Sequence, residues 1–144
     1  GTVKLTILDA GYGKADETLL KRVQQELDPQ QDGKGEGIAP IGHVVTVDTP
    51  QEFSIEVSVQ AVYDTGYGFE ALHSRMVQAV ENYLGQLREL WAEQDSLVVR
   101  IAQTEARLLA IDGIIDITSV ALNGKTENII LEEGQLPVCG GVVS

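Results

Sequence analysis

Two glycine-flanked tyrosines, Gly11-Tyr12-Gly13 and Gly66-Tyr67-Gly68, are the places in this 144-residue chain best suited to chemistry. Each lies between a strand-like run and a helix-like one, where free main-chain N–H groups at a helix N-terminus can hold an anion. A phosphate cradle needs more than that. The dinucleotide pattern requires a third glycine for close helix packing, and the P-loop requires Gly-Lys followed by Ser or Thr. Gly11, Gly13 and Lys14 instead run into Ala15 and Asp16, while Gly66 and Gly68 run into Phe69 and Glu70. Plain turns are expected at both, with a small-ligand or nucleotide-binding α/β module using the Gly-Tyr-Gly turns as the alternative function.

The remaining reactive groups are scattered. Asp28, Gln30, Asp32 and Gly33 imitate the start of a calcium loop, but Ala39 stands where the closing glutamate belongs. His43 and His73 have no partner at ligand spacing. Cys139 lies among Pro137, Val138 and Gly140, with nothing nearby to activate a thiolate, and is expected to be a small buried apolar residue. Glu132 and Glu133 are adjacent, so in a strand they point to opposite faces and are expected at a hairpin end. The expectation is therefore no catalytic, no cofactor-binding and no metal-ligating residue, no cofactor, and no enzyme activity.

The elements that would position these residues can be read from periodicity. Val3 to Asp9 alternates as a strand with Val3, Leu5 and Ile7 on one buried face. Asp16 is an N-cap for a helix carrying Leu19, Leu20, Val23 and Leu27 and ending before Pro29. The polar run from Asp28 to Glu36 is expected to be a mobile, dispensable loop, followed by a strand from Val44 to Val47. Phe53, Ile55, Val57, Val59, Ala61 and Tyr63 alternate with polar residues and predict a long strand with one wet face. From Phe69 to Trp91 an apolar stripe at helical spacing predicts a long helix that packs on the face of Phe53, Ile55, Val57 and Val59.

A second helix is predicted from Ser96 to Leu109, then a strand over IIDITSVAL, a tight turn at Asn123-Gly124, and ENIILEE as its hairpin partner. A last strand is predicted from Leu136 to Val143. This is an α+β chain: a strand–helix–strand unit over residues 1–48, then a unit over 49–144 with a long strand, two helices and a C-terminal set of strands. A two-layer sandwich results, and the order of the first six elements permits a ferredoxin-like one. Leu8 to Gly13 and Tyr63 to Gly68 also echo one another as strand–turn–helix junctions.

Composition bounds the partners. The 10 Lys and Arg against 22 Asp and Glu give a net charge of -12, which disfavours phosphate backbones and anionic lipid. No nucleic acid or membrane partner is expected, and no window reaches the ~18 consecutive apolar residues of a membrane span. One cysteine excludes an internal disulfide. The start at Gly1 suggests an excised fragment, so an enzyme part lacking its catalytic half is a third reading.

The order of features is more specific than any one of them. Gly35, Gly37, Ala39, Pro40, Ile41 and Gly42 form a GxGxAPIG turn. HVVTV, the alternating strand and the long helix follow. ARLLAIDGIIDITSVALNGKTENIIL comes next, and the chain closes on LPVCGGVVS. This order resembles the C-terminal part of baseplate J-like proteins, wedge components of contractile phage tails and of phage-like elements. The resemblance implies a structural role in six-fold assemblies, with baseplate wedge and hub subunits as partners. It also implies a place in the virion baseplate after a period in the bacterial cytoplasm, and transfers no active-site residue. The isolated chain is expected to be a monomer or weak oligomer.

Overall fold

The computed structural model describes residues 1–94 and 96–144. Two compact units divide the chain, Gly1–Gln51 and Glu52–Ser144. In the first, β1 (Thr2–Thr6), α1 (Glu17–Leu27) and β2 (Val44–Asp48) follow in order. β1 and β2 are parallel, with Thr2 opposite Val44 and Thr6 opposite Asp48. Parallel neighbours need a crossover, and α1 supplies it. Asp16 caps α1 by accepting from Leu19 N at 2.8 Å. At the other end Ile38 N and Ala39 N donate to Glu26 O and Leu27 O, so the Ala-Pro-Ile turn folds back on the C-terminus of α1. Gly37 is required there, because a Cβ would lie 2.5 Å from Leu27 O.

Two expectations change in this unit. Val3 and Leu5 are 46% and 38% exposed, so the face of β1 read as buried is open. The physical reason is the small sheet: α1 packs over β2, and the unit's buried apolar side chains are Ala15, Ala39 and Pro50. The loop from Asp28 to Glu36, expected from composition to be mobile and dispensable, has a polar anchor at its first residue. Asp28 is buried, and its carboxylate accepts from Gln31 N at 3.0 Å and from Val45 N at 2.8 Å.

The second unit is built on β3 (Gln51–Tyr63), followed by α2 (Phe69–Glu89), a 3-10 turn at Trp91–Glu93, β4 (Val98–Val99), α3 (Ile101–Leu109), β5 (Ile114–Leu122), β6 (Ile129–Ile130) and β7 (Gln135–Val143). The main sheet has the order β5-β3-β7, and β1–β2 and β4–β6 are sheets of their own. β3 and β5 are antiparallel, with Val57 opposite Leu122 and Val59 opposite Val120. With its strands sorted into three sheets the chain does not form the ferredoxin-like variant of the α+β sandwich.

The period-two pattern of β3 holds: Ile55, Val57 and Val59 are buried, while Ser54, Glu56 and Gln60 are exposed. α2 buries Leu72, Met76, Val80, Tyr83 and Leu84, and these share one apolar cluster with the inward residues of β3. α2 runs along β7, where His73 Nε2 bonds Val142 O at 2.9 Å and Arg88 Nη1 donates to Pro137 O at 2.9 Å. Pro137 is tolerated because β7 is an edge strand.

Two further readings are corrected. The second helix starts at Ile101 rather than Ser96: Val98 and Val99 pair with Ile130 and Ile129 in the β4–β6 ribbon. Their branched side chains favour a pleated strand over a helical first turn. Asn128 Oδ1 accepts from Ile101 N at 2.9 Å, an external cap from the far side of that ribbon. ENIILEE is therefore not the partner of β5. The Asn123-Gly124 turn closes with a single bridge, Leu122 to Lys125, before the chain continues to β6, the partner of β4.

Candidate functional site

In the first Gly-Tyr-Gly turn the donors that an anion would use are already engaged. Asp9 Oδ1 accepts from Gly11 N at 2.9 Å and from Gly13 N at 2.7 Å. A carboxylate of the chain itself thus occupies the anion's place, and α1 begins only at Glu17, beyond its own Asp16 cap. The second turn is different. Asp64 Oδ1 takes Thr65 N at 2.8 Å, Asp64 N donates to Gly113 O, and α2 starts directly after Gly68. Both turns share a bond from the tyrosine N–H to the aspartate carbonyl, Tyr12 to Asp9 and Tyr67 to Asp64. The positive φ falls on Tyr12 in one and on Gly66 in the other, so the echo in sequence covers two different backbones.

The pseudo-calcium loop is likewise committed to its own main chain. Asp28 is used by Gln31 N and Val45 N, and Asp32 Oδ1 by Lys34 N at 2.9 Å. Among the described residues no group of three His, Cys, Asp or Glu side chains lies close enough to share a metal ion. His43 is exposed at the entry to β2, whereas His73 sits half-buried on α2 with its ring 5.2 Å from that of Phe69. Cys139 is half-buried at the rim of the core rather than fully buried, because β7 is an edge strand. Glu132 and Glu133 are exposed in the turn before β7, where Gln135 Oε1 accepts from Glu132 N at 2.8 Å.

The described residues also form concave places. A cleft of about 230 Å³ lies between Trp91 and the turn of Glu132 to Gln135, and its titratable lining among the described residues is Glu132 and Glu133. A shallower groove of about 330 Å³ lies between α3 and β5, lined by Ala102, Glu105, Ala106, Leu109, Asp116 and Ile117. No histidine, cysteine or lysine is among the described lining residues of either. Partial burial pushes the Asp48 carboxyl up, but the Thr6 hydroxyl and the Lys4 ammonium, by hydrogen bond and charge, bring it below the ordinary carboxylate value. That ion pair, Lys4 Nζ to Asp48 Oδ2 at 2.9 Å, joins β1 to β2.

The feature that composition did not reveal is an edge seal on β2. Gln24 Nε2 donates to Val45 O at 2.7 Å, Gln24 Oε1 accepts from Val47 N at 2.9 Å, and Asp28 Oδ2 accepts from Val45 N. Side chains from the end of α1 occupy the main-chain groups that a neighbouring strand would use. Gln24 and Asp28 are four residues apart on the face of α1 toward β2, and that spacing was the available signal.

Comparison with known proteins completes the picture. The family model for the Baseplate J-like central domain matches residues 1–49, and that for the Baseplate J-like protein C-terminal domain matches residues 55–144. The phage-like element PBSX protein XkdT of Bacillus subtilis (strain 168) is 29% identical over 142 residues, 99% of this chain and 39% of that protein. Protein YqbT of the same organism is 28% identical over 142 residues, with the same coverage of 99% and 39%. The chain thus spans 39% of the length of these curated relatives. Among solved structures, a chain of the anti-feeding prophage baseplate, seen by electron cryo-microscopy with 6-fold symmetrisation, matches with a TM-score of 0.61 and 14% identity. That match covers 96% of this chain and 29% of the other, and at such identity the likeness is one of fold. With the two models tiling nearly all of it in order, the chain belongs to the Baseplate J-like protein family.

Proposed function

We propose that the chain is a structural part of a contractile-tail baseplate in a phage or phage-like particle, acting through protein–protein assembly. The observation that carries this reading is the match of both family domains across residues 1–49 and 55–144. Its partners are the neighbouring wedge and hub subunits of the baseplate, and its place is the particle, with the bacterial cytoplasm as the site of synthesis. It works without catalytic, cofactor-binding or metal-ligating residues. The occupied donors at Asp9 and Asp28 support that part, since polar groups at the sequence's most site-like places serve the chain's own backbone.

The test is to delete the coding segment from a producing strain and image the particles. Loss of baseplates, with restoration by the intact gene, is the expected result. Normal, complete tails without the segment would reject the assembly role. Hydrolytic turnover by the purified chain that disappears in His43→Ala or His73→Ala would reject the non-enzymatic reading.

A further inference from the structure

At the end of β5 a side chain takes over where the strand stops. Asn123 and Gly124 have φ of 50° and 79°, and Leu122 and Lys125 exchange main-chain bonds around them, so the chain reverses within two residues. Pairing of β5 with β3 therefore ends at Leu122, opposite Val57. The next β3 groups in line, the Glu56 N–H and the Ser54 carbonyl, lose the strand that would have continued the ladder. The Asn123 carboxamide replaces it. Its Oδ1 accepts from Glu56 N at 2.7 Å and its Nδ2 donates to Ser54 O at 3.1 Å, while Asn123 N donates to Glu56 O at 2.8 Å.

The same residue is open to a reaction of its own. The main-chain nitrogen that follows an asparagine can attack the side-chain Cγ, and a glycine, having no Cβ, leaves that nitrogen unshielded. The chain's other asparagines, Asn82 and Asn128, precede Tyr83 and Ile129, whose side chains hinder the approach. In the paired sheet the attack is held off. Both carboxamide heteroatoms of Asn123 are bound to β3, so Cγ turns onto the Gly124 nitrogen only when those bonds break.

We propose that Asn123 is a fold-gated deamidation site, converted by water to aspartate or isoaspartate while β3 and β5 are apart and protected once they pair. Gly124 N bonds to Asn123 Cγ, the Cγ–Nδ2 bond breaks, and ammonia leaves with the proton given up by the Gly124 amide. Water then opens the cyclic succinimide. Cleavage at Cγ yields aspartate, whereas cleavage at the main-chain carbonyl yields isoaspartate, with the chain rerouted through Cβ and Cγ. One water is consumed and one ammonia released, with no oxidant or reductant. Either product carries a carboxylate, which only accepts, so the donor to Ser54 O is lost and this end of the sheet no longer closes as before. The change permanently marks chains whose sheet stood open, and the inference does not depend on the baseplate reading.

Full-length protein, incubated at mildly alkaline pH in native buffer or in urea, is digested and its peptides resolved by mass spectrometry. The peptide carrying Asn123 is expected to gain the mass of an amide-to-acid conversion about ten-fold or more faster in urea. Peptides carrying Asn82 and Asn128 serve as slow references in the same digest. Hydrogen exchange on the native protein supplies a second measurement. Exchange at the Glu56 and Asn123 amides requires the same opening as deamidation, so both are expected to be slowed by a similar factor relative to the unfolded chain. Equal conversion with and without urea, or no conversion in either, would overturn the proposal. So would a slowing of deamidation that departs from the exchange protection by more than about ten-fold, because something other than the β3 pairing would then set the rate.

Discussion

The hydroxyl of Tyr83, at the core-facing side of α2, accepts a hydrogen bond from the main-chain N–H of Arg100 at 2.9 Å. Arg100 is the N-cap residue of α3 and makes no capping bond with its own side chain. One buried phenol therefore fixes where the second helix begins, and Thr104 Oγ1, donating to Arg100 O at 2.9 Å, holds the same residue from the other side. Tyr83→Phe keeps the ring and its contact with the Arg107 guanidinium, 5.2 Å above it, but leaves the Arg100 N–H without an acceptor. A loss of about 1–2 kcal/mol in unfolding free energy is expected, measured by urea titration at unchanged m-value.

Leu84 is fully buried in the cluster shared by α2 and β3. Leu84→Ala is expected to cost on the order of 2–5 kcal/mol, whereas Gln78→Ala on the exposed face should be nearly silent. Differential scanning calorimetry distinguishes them. Equal melting temperatures for the two variants would place the helix outside the core.

Asp28 and Gln24 make a different kind of prediction, because they stabilise through main-chain groups rather than apolar contact. Asp28→Ala strips acceptors from Gln31 N and Val45 N, so roughly 1–3 kcal/mol of stability should be lost from the first unit. Amide exchange at Val45 and Gln31 should accelerate in the variant, while amides of α2 stay unchanged. Shortening the polar loop beyond Gln31 should cost far less than this one substitution.

The Lys4–Asp48 pair gives a pH dependence. The Asp48 carboxyl titrates lower in the folded chain than its ordinary 3.8, so the folded state favours the ionised form. Its contribution is fully present above the unfolded value and is lost as pH falls through the depressed folded one. Chemical denaturation between neutral pH and pH about 3 should show this small acid loss, and Lys4→Met should reduce it. A variant with the wild-type acid profile would remove Lys4 as its source.

Much of the second unit was legible because its signals are uninterrupted. Six alternating apolar residues from Phe53 to Tyr63 and a stripe from Phe69 onward each specify both an element and a face. Asp16 and Pro29 bracket α1 just as clearly. The failures share one cause: a short apolar run does not say what it will pair with. Val98-Val99 and Ile129-Ile130 are too brief to carry a period, and each was absorbed into a longer neighbour. Val3 and Leu5 alternate as a buried strand does, yet periodicity cannot reveal that the sheet ends beside them. Among candidate sites, the spacing of the Gly-Tyr-Gly turns already departs from the phosphate-binding patterns. The role of Asp9 in occupying the first of them, and of Asp28 and Gln24 on the edge of β2, required coordinates, since hydrogen bonds between residues distant in sequence leave no local pattern.

The order of strands in the second unit also sets a timetable for synthesis. Within this unit β3 leaves the ribosome first but lies between β5 and β7, and α2 rests along β7, which follows the unit's other elements. Until those nine residues appear, the central strand lacks one neighbour and the apolar stripe of α2 lacks part of its bed. A nascent chain halted before Gln135 should therefore be sticky and protease-sensitive, and the emergence of β7 rather than gradual accretion should mark the moment this unit becomes resistant.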